Sequence, residues 1–327
     1  MAILSNNDGC VVALTKEAKE LGVKRGNPYF KIDKPILNKL HVFSSNYTLY
    51  GDMSHRVMTI LSEFSPDMEI YSIDEAFLDL TGMDIDRTEY AKKIRAKVMK
   101  DTGIPVSVGI AETKTLAKLA NNIAKKYPKC CGVLDLTGRA NIDKYLEKVP
   151  VEDIWGIGRQ NTLKLFRKGV KTAKDLKYFS DGWIKTNIGG VTGLRTVLEL
   201  RGTPCIDMDS APEPKKSIVS SRSFGERIGD IEGLKQAVSS YIYTASVKLR
   251  KQNSLASALS VFILTDRFKD EPQYNGSLTY RLPYPTSSTL ELTDYAIRLL
   301  DRIYKKDFLY KKAGVMLDGI VPGGSVQ

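Results

Sequence analysis

Two adjacent acidic residues interrupt an apolar stretch that otherwise has the composition of a β-strand. Asp74 and Glu75 lie inside the segment 71–79, between Ile73 and Ala76. Burying charge in such a strand is costly unless a cation neutralises it. Neighbouring residues of an uninterrupted strand point to opposite faces, so either a turn aims both carboxylates the same way or only one reaches a ligand. A hairpin with both acids at its tip would present two hard oxygen ligands, which suits Mg²⁺; the alternative is a solvated turn.

The charge balance favours a polyanionic partner. The chain has 327 residues, with 49 Lys and Arg against 38 Asp and Glu, and a formal net charge of +11. This surplus points to nucleic acid, the alternative being a basic solvated surface. Hydrophobic residues make up 42% and charged residues 27%, an ordinary globular composition that excludes disorder and coiled coil. No apolar run reaches the roughly 18 residues that span a bilayer, so we expect no membrane segment and a cytoplasmic location.

The cysteines and histidines exclude several kinds of site. None of the four cysteines forms a C-x-x-C pair, and only His41 and His55 could add imidazole ligands, so a structural zinc site lacks its ligand set. A hydrolase triad is equally unsupported, because no Ser/Asp or Cys/Asn set accompanies the two histidines. The glycine-rich motifs of P-loop and Rossmann nucleotide sites do not occur.

Prolines divide the chain into three predicted parts. Pro150 follows a helical pattern, and the segment 207–216 carries two prolines among mixed charges, as a linker does. The predicted domains are therefore 1–150, 151–213 and 214–327. In the first, strands alternate with packed helices, which indicates an α+β sheet covered on one face. In the last, the periodicity predicts the order β-α-β-β-α-β, which is ferredoxin-like.

Lysines on two predicted helices are candidate phosphate contacts. Lys16 and Lys19 share the polar face of a short helix, and Lys114, Lys118 and Lys125 are expected to form a stripe opposite the apolar face of a later one. Two such helices beside an acidic hairpin have the composition of a triphosphate site. For most individual lysines a solvated helix face is the default.

Glycines in the segment 151–159 indicate a second phosphate-binding feature. Gly156 and Gly158 belong to an Ile-x-Gly-Ile-Gly pattern before a predicted helix, and a further helix is predicted after Gly169. This pattern is typical of a helix-hairpin-helix, whose backbone N–H groups approach DNA phosphates without reading sequence. The alternative is a glycine-rich connector between helices.

Together these segments resemble the Y-family DNA polymerases, the lesion-bypass class, and within it the UmuC-like branch. Residues 71–79 match the family's catalytic hairpin. The other matching segments follow the family's order and cover nearly the whole chain: 5–10 (SNNDGC), 28–31 (PYFK), 43–47 (FSSNY), 155–158 (WGIG), 221–227 (SRSFGER) and 310–317 (YKKAGVML).

The resemblance implies a right-hand polymerase of the α+β class. Fingers and a ferredoxin-like palm would occupy 1–150, a helix-hairpin-helix thumb 151–213 and a little finger 214–327. The implied activity is translesion synthesis in DNA repair and the SOS response, in which dNTPs are added to a primer opposite damaged template. Asp74 and Glu75 would be the catalytic metal ligands, holding two Mg²⁺ ions.

The resemblance also implies which residues and partners meet the substrates. Lys19 and Lys125 fall where the family contacts the incoming triphosphate, and Gly156 and Gly158 match the thumb loop that holds the DNA backbone. The basic residues of the little-finger strands that track DNA are Arg222, Lys311 and Lys312. The implied partners are primer–template DNA, dNTPs, a sliding clamp and, in some branches, a recombinase filament or a UmuD-like subunit, with the protein nucleoid-associated when bound to DNA.

Two departures from the family pattern concern the ends of the sequence. The family's first strand, with a metal-binding Asp and an aromatic residue that excludes ribonucleotides, would precede Ala2, and a clamp-binding tail would follow Gln327. Asp8 lies in a turn signature and is not expected to substitute for that Asp. We therefore expect a chain truncated at both ends and catalytically impaired but still able to bind DNA. The alternatives are a non-catalytic damaged-DNA-binding remnant and an unrelated Mg²⁺ nuclease, the latter lacking a further acidic or histidine cluster.

Overall fold

The computed structural model describes residues 1–209 and 214–324. The chain divides into two compact units: one comprises Met1–Ser45 and Glu213–Gln327, the other Asn46–Pro212. Within the predicted linker at 207–216, residues 210–213 lie outside the described part.

A small sheet organises the N-terminal segment of the first unit. Its elements are β1 (Ala2–Leu4), β2 (Val11–Leu14), α1 (Lys16–Glu20), α2 (Lys34–Leu37) and β3 (Val42–Phe43). The strand order is β2-β1-β3, with β1 antiparallel to β2 and parallel to β3. Thr15 is the N-cap of α1, and Gly22 follows the helix with a φ of +85°. Ala2, Leu4 and Val11 form the core with Val23.

The second unit begins with helices and strands that alternate along the chain. They are α3 (Tyr47–Leu61), β4 (Met68–Ile70), β5 (Ala76–Leu78), α4 (Arg87–Thr102), β6 (Val108–Ile110), α5 (Lys114–Lys126) and β7 (Val133–Asp135). Asn46, Asp86 and Thr113 cap α3, α4 and α5 by accepting a backbone N–H three residues on. Gly103, in the left-handed conformation, ends α4.

The strands of the predicted N-terminal domain do not form one continuous sheet. Strand β4 pairs with β5 antiparallel, and β6 pairs with β7 parallel, in two separate two-stranded sheets. Side chains of both β5 and β6 line a cavity of about 720 Å³. The sequence pattern predicts strands and their covering helices, but it does not say which strand edges meet.

Short helices complete the second unit. They are α6 (Asp143–Leu146), α7 (Arg159–Phe166), α8 (Ala173–Lys177), α9 (Asp181–Asn187) and α10 (Val191–Leu200). Their buried leucines and isoleucines join the apolar face of α5 in one core cluster, which includes Leu119, Leu165 and Val197. The core therefore runs across the proline at 150 that the sequence marks as a boundary.

The C-terminal segment has the predicted β-α-β-β-α-β order. Its elements are β8 (Ile218–Ile228), α11 (Ile231–Lys251), β9 (Ser254–Thr265), β10 (Asn275–Thr286), α12 (Thr289–Ile303) and β11 (Tyr310–Pro322). The antiparallel sheet has the order β10-β9-β11-β8, and the apolar faces of α11 and α12 pack on it around Val261, Ala313 and Val315. None of the helices in the described ranges is long and apolar enough to cross a membrane.

Candidate active site

The predicted hairpin with two acids at its tip is present between β4 and β5. The N–H groups of Tyr71 and Ser72 both donate to the carbonyl oxygen of Glu75 at 3.1 Å, which closes the turn. Asp74 and Glu75 are exposed, and the Ser72 hydroxyl donates to Asp74 Oδ1 at 2.8 Å. Because Asp74 and Glu75 lie in a turn and not in a continued strand, their side chains are not constrained to opposite faces.

Asp79, the third acid of this stretch, has a structural role. Its Oδ1 accepts the Thr81 N–H at 2.8 Å in the turn after β5. Hydrogen bonds from the side chain and backbone of Thr81 lower the pKa of the Asp79 carboxyl.

Helix α5 presents two lysines to the hairpin, each paired with its own carboxylate. The Lys118 ammonium lies 3.0 Å from Glu75 Oε1. Lys114, only 8% exposed, donates to Glu69 Oε2 and, at 2.5 Å, to the Asp207 carbonyl oxygen. The alternative of a solvated helix face therefore does not hold for Lys114, because residues four apart share a helix face and this face meets the hairpin.

A cavity of about 510 Å³ joins the acidic hairpin to the phosphate-binding candidates of α5. Glu75, Lys118 and Lys125 line it together with Trp155. Asp74 and Glu75 also line the 720 Å³ cavity on the β5–β6 side. The structure thus brings Lys125 to the same cavity as one of the two predicted metal ligands.

The glycine-containing loop at residues 155–158 adjoins the hairpin through Trp155. Gly156 has a φ of +86°, which favours glycine, and Gly158 is the N-cap of α7, as the helix-hairpin-helix pattern predicts. Trp155 Nε1 donates to the Tyr71 hydroxyl at 2.8 Å.

The donor set at the hairpin fits a magnesium ion shared with a substrate, not one enclosed by protein. Among residues 1–209 and 214–324, no group of three or more His, Cys, Asp or Glu residues could hold a metal ion. Mg²⁺ in nucleotide sites is commonly bound by one or two carboxylates together with substrate phosphates. Two adjacent carboxylates, Asp74 and Glu75, match that mode.

The remaining predicted site residues belong to the other unit. Lys19 is exposed on α1. Arg222 of β8 lies opposite Ala313 of β11 and so shares the helix-covered face of the sheet. Lys312 lies with its ammonium 5.9 Å from the centre of the Phe262 ring. Lys311 donates to the carbonyl oxygens of Phe224 and Gly225 at 2.6 and 3.2 Å.

Sequence reasoning missed the group of aromatic residues around Lys118. Tyr71 and Trp155 are 84 positions apart in the sequence. Tyr71 lies in the segment notable for its two acidic residues, and Trp155 lies in the segment notable for its glycines. Neither segment has a local pattern that predicts their contact.

Comparison with known proteins gives matches over both units. Residues 1–122 match the model of the impB/mucB/samB family, and residues 215–327 match that of the impB/mucB/samB family C-terminal domain. The protein UmuC of Salmonella typhimurium is 46% identical over 332 residues, covering 100% of this chain and 78% of UmuC. A DNA polymerase IV of Picrophilus torridus is 33% identical over 185 residues, covering 57% of this chain and 52% of that protein.

Solved structures share the fold. A Y-family DNA polymerase chimera of Dbh and Dpo4 superposes with a TM-score of 0.75 at 21% identity, covering 98% of this chain and 92% of the chimera. An insertion ternary complex of Dbh DNA polymerase has a TM-score of 0.57 at 23% identity, covering 96% of this chain and 88% of that one.

Proposed function

Because the chain belongs to the impB/mucB/samB family, the UmuC-like branch of the Y-family DNA polymerases, and is thus a translesion DNA polymerase, we propose that Asp74 and Glu75 form its catalytic centre. The proposed reaction is attack of a primer 3′-hydroxyl on the α-phosphate of a dNTP opposite damaged template. The observation that carries this proposal is the pair of exposed carboxylates in the turn between β4 and β5, beside a cavity that Lys125 also lines.

Each residue of this site has a distinct proposed task. Asp74 and Glu75 would hold two Mg²⁺ ions, and metal ions bound there would stabilise the attacking and leaving oxygens of an in-line displacement. The Ser72 hydroxyl, 2.8 Å from Asp74 Oδ1, restricts the orientation of that carboxylate. Lys125 supplies a positive charge for the triphosphate, and Lys19 is proposed as a second contact of the same kind.

We propose that the helix-hairpin-helix loop and the four-stranded sheet bind the DNA backbone. Gly156 and Gly158 leave room for phosphates to approach the backbone N–H groups before α7. Lys312 would contact a phosphate from the face of the sheet opposite the helices, and the exposed Arg222 would reach one around edge strand β8. Lys311, engaged by two carbonyl oxygens of β8, would act by holding that strand in place.

The domain assignment and further partners follow from the family. We propose fingers and palm in 1–150, thumb in 151–213 and little finger in 214–327. A sliding clamp, a recombinase filament and a UmuD-like subunit are proposed partners. We also propose a cytoplasmic, nucleoid-associated location, which is consistent with a DNA substrate.

Primer extension with Mg²⁺ tests the catalytic assignment. Asp74→Asn keeps the side-chain shape and removes the charge, and misplacing a reacting group costs about 100-fold or more in rate. We expect that loss for Asp74→Asn on both undamaged and abasic templates. Asp79→Asn is the matched control, because its amide oxygen can still accept the Thr81 N–H, and it should retain activity within about threefold.

Two results would contradict the proposal. Equal activity of Asp74→Asn and the wild-type chain would remove Asp74 from the catalytic centre. DNA binding by a wild-type chain that extends no primer would favour a non-catalytic DNA-binding protein.

A further inference from the structure

The Lys118 ammonium lies within a group of three aromatic rings. Its Nζ atom is 4.2 Å from the ring centre of Tyr71, 5.3 Å from that of Trp155 and 5.9 Å from that of Phe77. A cation within about 6 Å of a ring centroid is attracted by the negative face of the ring. With 19% of its side chain exposed, Lys118 is mostly removed from water, which strengthens these contacts. We call Tyr71, Phe77 and Trp155 the aromatic cage.

The cage is held together by its own contacts. Trp155 and Tyr71 pack edge to face at 5.3 Å, and the indole N–H donates to the Tyr71 hydroxyl at 2.8 Å. Phe77 packs against both rings, at 5.9 Å from Tyr71 and 6.0 Å from Trp155. Two walls of the cage belong to the hairpin that carries Glu75, and the third belongs to the glycine-containing thumb loop.

Glu75 is the carboxylate toward which the cage directs Lys118. The ammonium lies 3.0 Å from Glu75 Oε1. The other lysine on this face, Lys114, is engaged by Glu69 and lies 5.2 Å from the centre of the Phe77 ring. The two lysines therefore have separate carboxylate partners, and neutralising Glu75 is the specific effect of Lys118.

We propose that Lys118 is a positioning residue for the Glu75 carboxylate, and that Trp155 couples the thumb loop to the catalytic hairpin by completing the cage around Lys118. This inference rests on the proposed function, since it assumes that Glu75 is a catalytic ligand. DNA that binds the Gly156–Gly158 loop would then hold Trp155 against the hairpin, and the hairpin would keep one orientation of Glu75.

Kinetic separation of rate from binding tests the coupling. Lys118→Met and Trp155→Ala should each lower the maximal primer-extension rate at least about tenfold. The KM for dNTP and the Kd for primer–template DNA, measured by fluorescence anisotropy, should stay within threefold. The double variant should be no slower than Lys118→Met alone, because both changes act through Glu75.

Conservative variants separate positioning from folding. Trp155→Phe retains a ring and should recover most of the rate lost in Trp155→Ala. Tyr71→Phe removes only the hydroxyl that accepts the indole N–H and should lower the rate about threefold. Trp183→Phe, which changes the other tryptophan, and Lys92→Met, which breaks an exposed pair on α4, are the controls and should match the wild-type chain.

A binding measurement gives a readout that does not depend on activity. Removing a positive charge 3.0 Å from Glu75 should tighten binding of Mn²⁺, counted by electron paramagnetic resonance, at least threefold in Lys118→Met. A purely structural role for Lys118 would leave Mn²⁺ binding unchanged or weaken it.

The outcomes distinguish this inference from the proposed function. If Asp74→Asn abolishes extension while Lys118→Met and Trp155→Ala keep the wild-type rate, the catalytic assignment stands and the coupling is wrong. If Trp155→Ala loses DNA affinity but keeps the maximal rate at saturating DNA, the coupling is also wrong. If Asp74→Asn extends primers normally, the catalytic assignment itself fails.

Discussion

Glu199 shows, at the scale of single residues, how this chain buries a carboxylate. It has no exposed surface, and its two oxygens accept the N–H groups of Thr115, Cys205 and Ile206 at 2.8, 3.0 and 3.1 Å. The carboxylate thereby joins α10 to the first turn of α5 and to the segment after α10. These backbone N–H groups supply the hydrogen bonds that a buried carboxylate requires.

Glu199→Gln is expected to destabilise the second unit by about 2 kcal/mol, since an amide NH₂ would face backbone N–H groups that need an acceptor. Denaturant unfolding followed by circular dichroism measures this loss. Glu152→Gln, an exposed residue of the same unit, is the control and should change stability by less than about 0.5 kcal/mol. Similar stability of the two variants would mean that the three donors find other acceptors.

At the scale of elements, the contact of α6 with α8 depends on paired charges. Lys177 donates to Asp143 Oδ1 and Tyr178 to Asp143 Oδ2, both at 2.7 Å. These two hydrogen bonds lower the pKa of the Asp143 carboxyl, and the one from Lys177 has the larger effect. A second pair at the same contact, Lys174 of α8 with Glu147 directly after α6, is more exposed.

Stability at this contact should depend on pH in a defined direction. Because the pKa of Asp143 is lower in the folded than in the unfolded chain, its contribution is complete above the ordinary aspartate pKa of about 4 and is lost as the pH falls through the folded pKa. Asp143→Asn should therefore cost about 1 kcal/mol at pH 7, and the cost should decrease as the pH is lowered below about 4, as measured at pH 3. Denaturant unfolding at both pH values measures the difference. Glu147→Gln, in the more exposed pair, should cost less at pH 7, and a pH-independent cost of Asp143→Asn would refute the linkage.

The distribution of charge is a property of the whole molecule. Residues 214–327 carry 17 basic and 11 acidic residues, so more than half of the +11 lies in the segment with the four-stranded sheet. Neutralised phosphates release counterions, so DNA affinity should fall steeply with salt. The proposed metal site lies in 1–150, where 22 basic and 19 acidic residues nearly balance.

Lys312→Gln should reduce the slope of log K against log salt by about 1, because the proposed phosphate contact is lost. Anisotropy titrations with primer–template DNA between about 50 and 200 mM salt measure the slope. Lys248→Gln is the matched control, since it removes the same charge from the exposed surface of α11 and should leave the slope unchanged. Equal slopes for both variants would exclude Lys312 as a phosphate contact.

The sequence by itself determined the elements and the local chemistry. Hydrophobic periodicity predicted the β-α-β-β-α-β order after residue 214, and the interruption of an apolar strand by Asp74 and Glu75 predicted the hairpin with acids at its tip. Gly156 and Gly158 predicted the turn and helix start that the structure contains. These features depend on residues close in sequence, through periodicity, turn formation and capping.

Only the tertiary structure decided what depends on distant residues. It separated the predicted sheet into one three-stranded sheet and two pairs of strands, buried Lys114 against Glu69 and continued one core across Pro150. It also placed Trp155 against Tyr71, which no local pattern indicates. The physical reason is that periodicity says which face of an element is apolar, whereas the packing of all elements together decides which polar and aromatic side chains of separate segments meet.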